Sequence, residues 1–459
     1  MTKSYPSVFI ETYGCQMNKS DSELIRGLLK SSGFRVSEGL ENADIVLINS
    51  CSVRDHAEQR ILGRIGVLSA WKKQAPHRRL GVLGCMAQRL GHTLAEMRPI
   101  LDFVVGPDEY RTLADLLLDE VKRPAVHTSL HKEELYSGVM PHRNTKISGW
   151  VTISRGCGNY CSYCIVPFTR GPERCRPADA ICGEIEAMAA QGFREITLLG
   201  QNVNSYNDGK TDGKMNFPGL LKRIGTGQIP GLLRIRFMTS HPKDLSDGLL
   251  EVMANEKRLC PHIHLPVQSG SSRILERMNR GYTREHYLDM IRRARELVPG
   301  VSLTTDVMVG FPGETEADFQ DTLRLMEEVR FDEAFTYHYS TREGTAAAGL
   351  PDTVPDAVKF RRLSQLIGLQ RRITLERKKE MIGRIVEVLP EKTSRRSSDE
   401  WMGKTPGNQV VIFRKCGIQA GEPVNVRIET IQGTTLKGSP LHSHINCLQT
   451  ATEEMYVAV

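Results

Sequence analysis

Two hydrophobic patterns alternate along most of the 459-residue chain. Short continuous apolar runs rich in β-branched residues, such as "SVFIET", "ADIVLINS" and "RLGVLG", read as buried strands. Between them lie longer segments with apolar positions every three or four residues. Ser20 to Lys30, Glu58 to Lys73, and Asp179 to Gln191 with Ile181, Ile185 and Met188 on one face read as helices. Strand–helix alternation of this kind predicts parallel sheets.

The alternation comes in two series. The first three strands and a fourth, "LDFVVG" at 101–106, predict an N-terminal α/β domain at 1–123 with a doubly wound parallel sheet. Residues 124–148 are polar, contain Pro124 and Pro141, and read as a linker. A second series starts near Trp150. Its strands are expected at 150–154, "EITLLGQN" (195–202), "LRIRFMTS" (233–240), "HIHLPVQ" (262–268), "SLTTDVMVG" (302–310) and "EAFTYHYS" (333–340). Six consecutive βα units predict a partial parallel barrel over 149–357, whose active-site residues gather at strand C-termini. A helix at 358–379 follows. The pattern then changes to short strands separated by Gly, Pro and Ser, predicting a small antiparallel β-barrel at 380–448.

Composition is that of an ordinary globular protein, and no apolar run is long enough to span a bilayer, so a cytoplasmic protein that does not enter membranes is expected. Charge adds one feature. Lys359 to Lys379 carries eight Lys/Arg against the single acid Glu376, so the formal net charge of +7 is concentrated there. Such a stripe, leading into a small β-barrel, fits a polyanion partner, with stripe and barrel both facing it; a solvated helix face fits equally well.

The eleven cysteines decide the chemistry. In a large chain without an export signal they argue for metal or redox use over disulfides. Three of them, Cys15, Cys51 and Cys85, each close one of the first three strands. Parallel strands leave a sheet at one edge, so these three can converge although they lie far apart in sequence. Taken alone they leave a cluster, a zinc site and plain burial open. Three more, Cys157, Cys161 and Cys164, stand in "GCGNYCSYC" just after the first barrel strand. A closed zinc site needs four protein ligands. Three thiolates on a 4Fe–4S cluster instead leave one iron for a small molecule. His241, His262 and His264 read as packed strand histidines. Cys182, Cys260, Cys416 and Cys447 read as small hydrophobes.

The C-x3-C-x2-C triplet with Tyr163 before its last cysteine resembles the radical S-adenosylmethionine (SAM) signature. Together with "TYGCQMN", "NSCSVR", "GCMAQR", "GCGNYCSYCIVPFTRG" and "TSHP", it is similar to the radical SAM methylthiotransferase family over nearly the whole chain. The C-terminal segment resembles a TRAM domain. Two departures are Cys175, where the family has Ser, and "GQN" at 200–202, where many radical SAM enzymes carry an acidic Gly-Gly-Glu.

The resemblance implies two 4Fe–4S clusters, an auxiliary one on Cys15, Cys51 and Cys85 and a SAM-binding one on Cys157, Cys161 and Cys164. It implies a tRNA partner carrying N6-isopentenyladenosine beside the anticodon, C2 methylthiolation with two SAM, a low-potential donor such as flavodoxin or ferredoxin, and a monomer. One SAM would methylate a cluster sulfur and the other would supply a radical. Candidate SAM contacts are Tyr163, Gln201, Asn202, Ser240, Gln268, Gly310 and Gly313. Relatives acting on threonylcarbamoyl-adenosine or on a ribosomal-protein aspartate are the alternatives within the family. An iron–sulfur electron carrier and a zinc-stabilised RNA-binding protein are the alternatives outside it.

Overall fold

The computed structural model describes residues 5–52, 55–119, 124–143, 145–209, 215–351 and 353–441. The expected domain ends at 1–4, 120–123 and 442–448, and Cys447, lie outside these residues.

The N-terminal sheet contains β1 (Ser7–Thr12), β2 (Arg35–Val36), β3 (Ile45–Ser50), β4 (Arg79–Gly84), β5 (Phe103–Val105) and β6 (Ala125–His127). Its order is β2-β1-β3-β4-β5-β6, with every pairing parallel. The order reverses between β1 and β3, the crevice where doubly wound sheets bind ligands. β3 is buried at all six positions because helices cover both faces, which explains its apolar run Ile45 to Ile48.

Two of these strands fall where the sequence pattern predicts none. β2 is a two-residue edge strand, and β6 lies in the segment expected as a linker. That segment is a packed strap. Tyr136, at φ 53°, is buried, stacks on Tyr110 with centroids 5.8 Å apart, and donates its hydroxyl to Pro107 O at 2.7 Å. Met140 O crosses Gly27 so closely that a Cβ there would lie 2.1 Å from it.

The central domain opens with β7 (Ser148–Thr152). A small antiparallel pair follows, β8 (Ser154–Arg155) with β9 (Arg174–Cys175). Then come β10 (Glu195–Leu199), β11 (Arg234–Met238), β12 (His262–His264), β13 (Ser302–Val309) and β14 (Glu333–His338). Two parallel three-stranded halves, β11-β10-β7 and β12-β13-β14, meet at the Ile235–Leu259 bridge and form the six-stranded partial barrel. β12 is shorter than its apolar run because Pro266, two residues on, has no N–H for the ladder.

The last domain is a closed barrel in the order β15-β16-β17-β19-β18, built from β15 (Ile385–Thr393), β16 (Glu400–Lys404), β17 (Val410–Arg414), β18 (Val424–Gln432) and β19 (Thr435–Pro440). It closes the floor of the partial barrel. Arg234 and Arg236, on the same face of β11, donate to Lys404 O, Thr405 O and Pro406 O at 2.7 Å each, and Glu195 lies 3.0 Å from Arg236.

The helix Asp356–Lys379 runs from the mouth, where Lys359 packs on Gly310, to the floor, where Lys378 reaches Thr434 O. Its positive stripe is answered largely from within. Arg362 pairs with Glu314 and Glu316, Arg361 with Glu316, Arg372 with Glu327, Arg377 with Asp332 and Lys378 with Glu333. Arg371 and Lys379 stay exposed, without an ion pair among the described residues.

Candidate active site

The three N-terminal cysteines follow the C-terminal ends of three adjacent strands, the first two on either side of the topological switch. Cys15 caps the helix Gln16–Ser31 after β1, Cys51 follows β3, and Cys85 opens the helix after β4. Asn18 and Asn49 tie the first two exits together. Asn18 Nδ2 donates to Asn49 Oδ1 at 3.3 Å and to Ser50 O at 3.0 Å, and Asn49 Nδ2 returns a 2.8 Å bond to Asn18 O. Gly14 sits at φ 143°, where an added Cβ would come within 2.6 Å of Cys51 Cβ, so only glycine lets the first turn approach the second. Cys15 donates to Asn18 Oδ1 at 3.3 Å. The hydrogen bond with Cys51 and the Arg170 charge draw its thiol down to about 6. Burial pushes the Cys85 thiol up, opposed by Arg170.

Arg170 comes from the other domain. It ends the short helix Val166–Arg170, six residues after Cys164. Nε donates to Cys85 Sγ at 3.2 Å, and one terminal nitrogen, Nη2, to Asp21 at 2.7 Å. Asp21 also accepts from Arg155 at 3.0 Å. Burial works against the Asp21 charge, yet the two guanidiniums hold its carboxyl below the usual range. A second buried pair, Arg174 with Asp108 at 2.9 Å, lies beside it. Buried ion pairs of this kind fix how two surfaces dock rather than adding much net stability.

The triplet occupies the mouth of the partial barrel. Cys157 and Cys161 are buried and Cys164 half-buried; none of the six trio cysteines is in a disulfide. The loop is clamped from 277–280: Ser162 N bonds Met278 O at 2.9 Å, and Asn279 Nδ2 bonds Tyr160 O at 3.0 Å. Arg280 Nη1 donates to Cys161 Sγ at 3.2 Å, and its remaining nitrogens reach Tyr282 Oη and Pro266 O. His241 Nε2 stands 3.9 Å from the same sulfur, while Nδ1 accepts from Lys243 N. Burial and the Arg280 charge keep this imidazole neutral, so Nε2 carries the proton that faces sulfur. Burial, with Cys161 second, pushes the Cys164 thiol up to about 12.

The expected SAM contacts divide. Both amide atoms of Gln201 and the hydroxyl of Ser240 are buried without a partner among the described residues, as is Ser154 Oγ. These three residues follow the adjacent strands β10, β11 and β7. Asn202 instead bonds Asp244 at 2.7 Å and accepts from His241 N at 3.1 Å, and Gln268 accepts from Tyr337 Oη at 2.5 Å. Tyr163 packs against a cluster containing Met278, Phe311 and Tyr339. Gly310 and Gly313 have φ of 72° and 80°; Cβ atoms there would meet Lys359 at 2.4 Å and Arg277 at 3.2 Å. Packing alone accounts for both glycines.

Cys175 lies on β9 and accepts from Asn207 N at 3.4 Å. Cys182 and Cys260 are buried. Cys416 departs from its expected role as a spare hydrophobe: it occupies a half-buried turn at φ 41° after β17 and is disulfide-bonded. His262 and His264 share Thr304 Oγ1 inside the barrel. Sequence reasoning missed Arg170, Arg280, Asp21 and Ser154. The first two lie in quotable words, "FTRG" and "NRG", but nothing in a lone arginine says which sulfur it meets.

No helix among the described residues is long and apolar enough to cross a membrane. Three family models match in succession: the uncharacterized protein family UPF0004 over 7–106, the radical SAM superfamily over 151–326 and the TRAM domain over 379–441. The fold resembles that of the radical S-adenosylmethionine methyltransferase TsrM from Kitasatospora setae, with a TM-score of 0.55 at 14% identity over 72% of each chain. Among curated relatives, tRNA-2-methylthio-N(6)-dimethylallyladenosine synthase from Bacteroides fragilis is 48% identical over 95% of this chain and 96% of its own length. The enzyme of the same name from Chloroherpeton thalassium is 49% identical over 95% and 96%. With that identity across all three domains, the chain belongs to the family of radical SAM tRNA-2-methylthio-N(6)-dimethylallyladenosine synthases.

Proposed function

We propose that this protein replaces C–H by C–SCH3 at C2 of N6-isopentenyladenosine next to a tRNA anticodon, as a cytoplasmic monomer served by flavodoxin or ferredoxin. Cys157, Cys161 and Cys164 hold the SAM-binding 4Fe–4S cluster, and Cys15, Cys51 and Cys85 the auxiliary one. The observation that supports this reading is Arg170, six residues after Cys164, hydrogen-bonded to Cys85 Sγ at 3.2 Å in a chain of this family.

The donor chemistry supports the fit. Each trio offers three sulfurs, which leaves one iron of a four-iron cluster open. A basic group already stands on each: Arg280 on Cys161 and Arg170 on Cys85. Buried thiols ionise when a metal supplies the compensating charge, so the raised Cys164 and Cys85 thiols are compatible with ligation. The orphaned polar atoms of Gln201, Ser240 and Ser154 supply the hydrogen-bonding surface that a polar cofactor requires.

When bound, the clusters and SAM supply a 5′-deoxyadenosyl radical and the methylthio group. The protein's own part is placement. Arg280 and His241 orient Cys161. Gln201, Ser240 and Ser154 take the polar groups of SAM. The Asp21–Arg155–Arg170 network keeps the N-terminal trio over the barrel mouth. C2 of adenine is neither acidic nor electrophilic, so polar catalysis by side chains would not suffice.

The RNA is held from outside the mouth. The TRAM-like barrel lies at the opposite end of strands that, like β13 with eight residues, span about 26 Å. A tRNA that touches both ends follows the flank, where Arg371 and Lys379 are exposed. Mass spectrometry of nucleosides from tRNA incubated with reconstituted enzyme tests the proposal. A C2-methylthio product on isopentenyladenosine supports it; methylthiolated threonylcarbamoyl-adenosine, or no nucleoside product, rejects it.

A further inference from the structure

Each cysteine trio has one buried arginine hydrogen-bonded to one sulfur, but the two arginines are not equivalent. Arg280 uses Nε, Nη1 and Nη2 on Tyr282, Cys161 and Pro266. Arg170 uses Nε on Cys85 and Nη2 on Asp21; Nη1 is buried and has no partner among the described residues. A buried charged donor left unpaired is costly, and native proteins retain one where a ligand completes it. The surroundings make that ligand anionic. The guanidinium stands 3.2 Å from Cys85 Sγ, and the one carboxylate that it binds already serves Arg155.

We infer that Arg170 is a positioning residue for the sulfur-transfer site: it fixes Cys85 through Nε and offers Nη1 to a small anionic sulfur ligand, a hydrosulfide or alkanethiolate, bound beside the trio. This rests on reading Cys15, Cys51 and Cys85 as cluster ligands. The arginine fork suits two acceptors at fixed angles, which an ammonium does not. Arg170 also belongs to the same short segment as Cys164, so the residue that holds the sulfur group is carried by the loop that forms the other site. Sulfur position and radical source are thereby locked together without a mobile element.

The test uses anaerobically reconstituted wild type, R170Q and R170K, with iron and sulfide counted first. Wild type with a single cluster refutes the ligand reading itself. Given two clusters, methanethiolate is titrated while the auxiliary-cluster spectrum is followed by electron paramagnetic resonance. R170Q is expected to bind methanethiolate about ten- to a hundredfold more weakly, the cost of one charge-assisted hydrogen bond. Its auxiliary midpoint potential is expected to move more negative, and the SAM-binding cluster to be unchanged. If R170Q fails to hold iron, R170K carries the test: a wild-type potential with weakened methanethiolate binding is expected. Methanethiolate affinity equal to wild type in the variant that retains both clusters overturns the inference.

Discussion

Arg280 donates from Nη1 to Cys161 Sγ at 3.2 Å, and the same guanidinium reaches Pro266 O at 2.8 Å. One side chain therefore ties the triplet loop to the chain just beyond β12, on the far half of the barrel. Its position explains how a loop without secondary structure is held against the barrel.

Replacing Arg280 with Gln removes the charge from Cys161 and leaves Pro266 O only the longer, 3.3 Å bond from Tyr282 Oη. Reductive SAM cleavage is expected to fall at least tenfold, with less iron bound by the triplet, because a hydrogen bond to a charged group contributes about 1.5–3 kcal/mol. R280K should recover part of the loss, since it keeps the charge but not the fork. Yields of 5′-deoxyadenosine from equal protein with iron quantified check both.

Asp21 is the shared anion of Arg155 and Arg170 at the domain junction. D21N leaves two buried guanidiniums without their carboxylate and is expected to cost about 3–5 kcal/mol, read by denaturant unfolding. The carboxyl is held below its unfolded value of about 3.9. Its contribution is thus fully present above that value and is lost as pH falls through the lowered one. Wild type should lose this stability below about pH 4, and D21N should show a flatter acid limb.

The floor contacts bear on truncation. Removing residues from 380 onward strips Arg234 and Arg236 of the carbonyls of Lys404, Thr405 and Pro406. The truncated protein is expected to show a lower melting temperature for the radical SAM domain as well as weaker tRNA binding. A full-length R234M/R236M double variant should reproduce the loss of stability with tRNA affinity retained.

How much of this was legible depends on whether a residue belongs to a pattern. β1, β3 and β4 were readable because each carries a short, buried apolar run, and their cysteines because each follows such a run. β2, two residues long, has no period to detect. The strap at 124–148 looks like a linker because its composition is polar, although β6 pairs with β5 and Tyr136, at positive φ, is buried in the core. The basic stripe reads as more highly charged than it is because sequence shows the cations of Asp356–Lys379 together and hides Glu314, Glu316, Glu327, Asp332 and Glu333, which fold against them. Among the candidate SAM contacts, Gln201 and Ser240 bury polar atoms that have no partner among the described residues. Asn202 and Gln268 are taken by neighbours that no spacing rule reveals.

The stripe makes its own prediction. Neutralising exposed Arg371 and Lys379 should lower the slope of log affinity for tRNA against log salt by up to about one unit for each phosphate no longer neutralised. Neutralising Arg362, buried against Glu314, should lower stability and leave the slope unchanged. Titrations at several salt concentrations separate the two.

The central claim is a division of labour between two sets of three cysteines. Its most direct test is a single anaerobic incubation of the C15A/C51A/C85A variant with SAM, reductant and tRNA bearing N6-isopentenyladenosine, followed by mass spectrometry of both nucleosides and small molecules. The account predicts about half the wild-type iron, continued formation of 5′-deoxyadenosine and no methylthiolated nucleoside. Full methylthiolation by this variant, or loss of 5′-deoxyadenosine while the triplet still holds its iron, would contradict it.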